Sequence, residues 1–122
     1  MTVEDFANEV EAAGRQFAYI GSVTKLDETR FSAKYRLVVT DDLSCKLMPT
    51  LTNTQHGTVG LALIYQGRRL YERDCENWQW HRHPAAAPET HDFSSEGVRS
   101  VTVQEFLLDR QCHISSSSGL MA

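Results

Sequence analysis

Between Phe31 and Thr40 apolar and polar residues alternate: Phe31, Ala33, Tyr35, Leu37 and Val39 on one side, Ser32, Lys34, Arg36 and Thr40 on the other. A period of two sustained this long describes a strand with one face buried and one face wet. Such a strand needs partners, and the flanking sequence supplies them. Cys45, Leu47 and Leu51 alternate with Lys46, Thr50 and Thr52, and Val59, Leu61, Leu63 and Tyr65 repeat the pattern. Pro49 favours an edge position or a bulge for the first of these, because proline donates no ladder hydrogen bond. Asp41-Asp42 and Gln66-Gly67 are short turns, the second leading into a strand from Arg68 to Asp74. Phe17 to Val23 is rich in aromatic and branched residues and reads as a further strand, ended by a polar turn at Lys25 to Thr29. Short connections of this kind favour an antiparallel meander.

Both ends of the chain are helical in pattern. Val3, Phe6, Ala7, Val10 and Ala13 recur at helical spacing behind a Thr2 cap, with Gly14 placed to end the helix. Thr102-Val103-Gln104-Glu105 fits a capping box, and Val103, Phe106 and Leu107 give the second helix its apolar side. The expected architecture is α+β: an antiparallel sheet of about five strands with N- and C-terminal helices packed on one face, which buries both apolar stripes. A chain of 122 residues with 41% hydrophobic and 23% charged residues makes one domain, expected over 1–114, with a loose Ser-rich tail at 115–122.

The same numbers exclude several functions. A formal charge of −4 gives no general pull toward nucleic acid or anionic lipid, so RNA contact requires a local basic patch. No apolar run approaches a membrane span, and the acidic N-terminus lacks the apolar stretch of a signal peptide. Cys45, Cys75 and Cys112 are an odd, widely spaced set, which points to a reducing, cytoplasmic setting. No glycine-rich phosphate loop and no nucleophile elbow occurs.

Residues 76–99 carry no clear element, and they hold both tryptophans and three of the five histidines. His81, His83 and His91 fall within eleven residues, and Pro84 biases His83 toward extended backbone, which points His81 and His83 the same way. Two kinds of site fit. In a metal-free ribonuclease, His81 and His83 exchange protons with the 2′-OH and the leaving oxygen, and His91 is a third catalytic or orienting group. Asp74 orients a histidine, Arg73 or Arg82 clamps the phosphate, and Trp78 and Trp80 stack bases. In a metal centre, the ligands are His81, His83 and His91, with Asp74, Glu89 or Asp92 as oxygen donors, and the ion is divalent, such as zinc. A third reading is non-enzymatic: a protein-interaction or homodimer surface at the Trp78/Trp80 loop. Cys75 reads as a small buried hydrophobe, and His56 and His113 stand apart from the cluster.

A Tyr- and Leu-rich strand, a hairpin, an aspartate closing the next strand, a Trp/His loop and a second histidine island before a capped helix resemble the TumE-like toxins. The resemblance runs through Tyr65, Asp74, His81, His83, His91 and the helix from Thr102 to Arg110, and covers roughly residues 31 to 110. It implies a small intracellular toxin with a nucleic-acid target and a cognate antitoxin of the minimal nucleotidyltransferase type. On that basis the leading expectation is a cofactor-free ribonuclease, with a metal-dependent hydrolase as its alternative.

Overall fold

In the computed structural model the alternating segments form one antiparallel sheet whose spatial order follows the chain from first strand to last. The structure describes residues 1–39, 45–84, 87 and 89–115, without the side chains of 45 and 110–115. The elements are α1 (Val3–Gln16), β1 (Ile20–Glu28), β2 (Ala33–Val39), β3 (Cys45–Asn53), β4 (Thr58–Tyr65), β5 (Arg68–Glu76), β6 (Gln79–His83) and α2 (Val103–Ser115). The mixed α+β class is as expected, with six strands rather than five.

Register fixes the two faces. The pairs Leu37↔Leu47, Leu47↔Leu63 and Leu63↔Tyr71 run across four strands, so these side chains share one face. This is the apolar face, and Tyr35, Leu51 and Leu61 belong to it and are buried. Phe6 of α1 meets Tyr35 with ring centroids 6.2 Å apart, and Phe106 of α2 meets Tyr71 at 5.9 Å. Both helices begin with reciprocal caps: Thr2 with Asp5, and Thr102 with Glu105. Each such cap contributes about 1 kcal/mol by satisfying amides that have no partner within the helix. Glu9 of α1 accepts a hydrogen bond from the Val103 amide, and Tyr19 donates to the Leu107 carbonyl, tying α2 to the start of the chain.

Four local expectations need correction. The sixth strand lies inside the stretch that carried no periodic signal: its buried positions are His81 and His83, so the inward side chains are polar and no hydrophobic alternation shows. Lys25 to Glu28 is not a turn but the second half of β1. That strand is exposed along nearly its whole length, so it lacks a buried face to pattern. Helix α1 runs past Gly14 to Gln16, and Gly14 is where β1 comes close; a Cβ there would stand 2.4 Å from Val23 Cγ2. Pro49 occupies an interior strand, paired with Leu61 on the β4 side. The β2–β3 pairing passes over the stretch facing it, which accommodates the missing amide. The Asp41-Asp42 turn and residues 116–122 of the expected tail lie outside the described residues.

Two hairpins set up the end of the sheet. Gln66 and Gly67 take positive φ of 51° and 75°, as a tight two-residue turn requires. Asn77 and Trp78 do the same at 50° and 67°, closing β5 onto β6. The left-handed conformation costs Trp78 about 1–2 kcal/mol. Its ring lies against the backbone of Gly57, where a Cβ would come within 2.3 Å of it.

Candidate metal centre

On the other face, β5 presents Glu72, Asp74 and Glu76, because alternate residues of a strand share a side. The pairs Glu72↔His83 and Asp74↔His81 then set two imidazoles beside those carboxylates. His81 and His83 are 5% and 4% exposed. Their Nε2 atoms stand 3.6 Å and 3.5 Å from one atom, Asp74 Oδ2.

The third histidine arrives from a different segment. Arg82 and Asp92 exchange backbone hydrogen bonds of 3.2 Å and 2.8 Å, a one-residue continuation of the sheet beyond β6. The Arg82 guanidinium also donates to Asp92 Oδ2 from Nε at 2.8 Å. With Asp92 on the Arg82 side, its neighbours His91 and Phe93 turn to the histidine side. Ring centroids of His91 lie 5.0 Å from His81 and 4.6 Å from His83, and Phe93 stands 5.5 Å from His81. Nitrogen donors of His81, His83 and His91 all fall within 4.8 Å of one another. Asp74 further belongs to two mixed groups under the same limit, one with Glu72 and His83, the other with Glu76 and His81.

Electrostatics follow from this crowding. Burial, a hydrogen bond with Glu72 and that residue's charge push the Asp74 carboxyl up to about 8. Burial and the charges of His83 and His91 hold His81 below its ordinary value. A neutral His81 imidazole keeps a lone pair for a metal ion, and a cation relieves the repulsion between the neighbouring carboxylates. Asp92 is held down at about 2 by the Ser94 hydroxyl and amide and by Arg82, so it stays ionised as the anchor of the His91 segment.

A cleft of about 320 Å³ opens beside the cluster, lined by Glu76, Asn77, Gln79, His81, His91 and Phe93. His91 and Phe93 are exposed on its rim. His81 and His91 therefore face the cleft, while His83 lies behind them, buried.

The remaining candidates lie elsewhere. Arg73 pairs with Leu61 on the apolar face and is 1% exposed. It donates to Tyr71 Oη, to the carbonyls of Glu96, Gly97 and Arg99, and to the Glu96 carboxylate at 2.8 Å. Arg82 is committed to Asp92. Trp80 sits opposite Cys75, and with Trp78, Leu51 and Val59 they line a separate apolar cleft of about 130 Å³. Cys75 is buried, and burial pushes its thiol up, away from nucleophilic chemistry. Glu89 and His56 are exposed and stand outside the described donor groups. Sequence reasoning missed Glu72, Glu76 and Phe93. Once Asp74 is paired with His81, strand alternation alone adds the two glutamates. Comparison with protein-family models, with curated proteins and with solved structures gives no match.

Proposed function

We propose that the chain is a metal-dependent hydrolase whose ion is held by His81, His83 and His91 together with the Asp74 carboxylate. The observation that carries this reading is the convergence of three imidazole donors, from β6 and from the segment latched beside it, within 4.8 Å. Three nitrogens and an oxygen suit zinc or another divalent first-row ion. Such an ion supplies Lewis acidity and lowers the pKa of water toward neutrality.

The protein's own groups do the rest. Backbone pairing between β5 and β6 fixes His81 and His83, and the Arg82–Asp92 latch brings His91 to them. The cleft beside His81 and His91 leaves room for a substrate, which distinguishes a reactive centre from a closed structural one. Glu76 places a further carboxylate on its wall. The metal-dependent reading needs neither Arg73 nor Arg82, the two phosphate clamps expected of a metal-free ribonuclease, and both guanidinium groups are engaged with protein acceptors.

The test is hydrolysis of generic phosphodiester and carboxyl-ester substrates by chelator-stripped protein reloaded with zinc, manganese or cobalt. Activity that returns with metal and is lost in His81→Ala and His83→Ala supports the proposal. Equal activity in chelator contradicts it, and restores the acid–base ribonuclease reading if RNA is the substrate cleaved.

A further inference from the structure

Resting on that metal-centre reading, we propose that the patch takes two divalent ions rather than one, with Asp74 between them, and that its substrate is a phosphate ester. Glu72, Asp74 and Glu76 project from one side of β5 at every second residue, which spaces successive members by roughly 6.5–7 Å along the strand. Glu72 and Glu76 are therefore separated by about 13 Å of backbone, too far for one ion to gather both. Each belongs to its own donor group. Glu72 joins Asp74 and His83; Glu76 joins Asp74 and His81.

Asp74 is the member common to both, and its Oδ2 lies almost equally far from the two Nε2 atoms, 3.5 Å and 3.6 Å. Oδ2 is thus shared by both histidines, and it is the oxygen through which Asp74 would reach both ions, in the manner of two-metal centres whose ions stand about 3.5–4 Å apart. Gly60 faces Asp74 across the β4–β5 pair, and a Cβ added there would stand 3.5 Å from Asp74 Oδ1. His91, close to both other histidines, offers a further nitrogen to either ion.

Charge gives the substrate class. The three carboxylates carry three negative charges when ionised, Arg69 paired with Glu72 carries one positive charge, and two divalent ions carry four. The balance is a net positive centre beside the open cleft, suited to an anion. Two ions also hold the attacking and leaving oxygens of an in-line displacement at phosphorus. Water oxygen bonds to phosphorus as the ester P–O bond breaks; the proton that water gives up ends on the departing alkoxide, so the step balances without an oxidant or reductant.

The experiment counts ions on the full chain after chelator treatment and desalting. Calorimetric titration with zinc and with manganese is paired with manganese electron paramagnetic resonance at low and at saturating loading. The expected result is two ions per chain for the wild type, with a spin-coupled pair signal at saturation. Glu72→Gln and Glu76→Gln each retain one ion, and Asp74→Asn loses the coupled signal; circular dichroism and melting in chelator confirm that each variant is folded. Saturation of the wild type at one ion per chain, with no coupled signal, overturns the two-ion proposal and leaves the single-ion centre standing. No binding at all overturns both.

Discussion

Asp92 accepts the Arg82 guanidinium through Oδ2 while the same two residues exchange their backbone hydrogen bonds. This one pair decides whether His91 belongs to the site, because it carries the only contact between β6 and the following segment that has both backbone and ionic components among the described residues. Without it His81 and His83 remain on the sheet, but the third donor is untethered.

Asp92→Asn removes the charge of this latch and keeps its shape. The expected outcome is a loss of metal affinity of about 10-fold or more, the usual effect of disturbing a group that positions ligands. Gly97→Ala provides an independent route to the same result: its Cβ would stand 2.1 Å from the Asp92 carbonyl oxygen, which must then leave Arg82. Zinc titration of both variants checks this. Wild-type affinity in both contradicts the latch.

Arg73 makes a different prediction. Buried on the apolar face, it gathers three carbonyls and the Glu96 carboxylate. Arg73→Met leaves those carbonyls without their donor and is expected to cost about 2–4 kcal/mol in urea unfolding. Any loss of metal affinity in the folded variant comes through the 94–99 segment that Arg73 holds beside Asp92, and so accompanies the loss of stability. A large loss of affinity with unchanged stability would instead place Arg73 in the site.

The pH dependence of the metal-free fold follows from Asp74. Its carboxyl, pushed up to about 8, keeps in the folded state a proton that the unfolded chain releases near 3.8. The folded state thus binds more protons across that window, and this group makes stability fall as pH rises from near 4 to about 8. His81, held below 6.5, acts in the opposite sense: its contribution is lost as pH falls below that value. In chelator, Asp74→Asn is therefore expected to melt higher than wild type at pH 8.5, by at least ~4 °C, and to lose that advantage near pH 4. Adding zinc at pH 8.5 reverses the order. Melting curves at the two pH values decide the matter; an advantage independent of pH contradicts the assignment to Asp74.

Much of the frame was legible from residue pattern. The strand centred on Tyr35, the Gln66-Gly67 hairpin and the Thr102–Glu105 cap all appear as expected, since each has a local cause: alternation, positive-φ turn residues, reciprocal hydrogen bonds. The edges were not. β1 is exposed on both sides and β6 turns imidazoles inward, so neither shows the contrast that periodicity detects. At the site, the spacing of His81 and His83 gave their common direction. The approach of His91 depended on the Arg82–Asp92 pair, ten positions apart in the chain, which no local pattern encodes. Trp78 and Trp80 drew attention as aromatic residues beside histidines. The Asn77-Trp78 turn and the Cys75 pairing place them along another cleft.

The most direct test of the metal centre is a long-range nitrogen–proton spectrum of the imidazole side chains, recorded during zinc addition to chelator-stripped protein. The account predicts that one nitrogen of each of His81, His83 and His91 shifts to the metal-bound range with matched saturation, while His56 stays unchanged. Shifts confined to His56, or no shift in the three clustered imidazoles at zinc in excess, would contradict it.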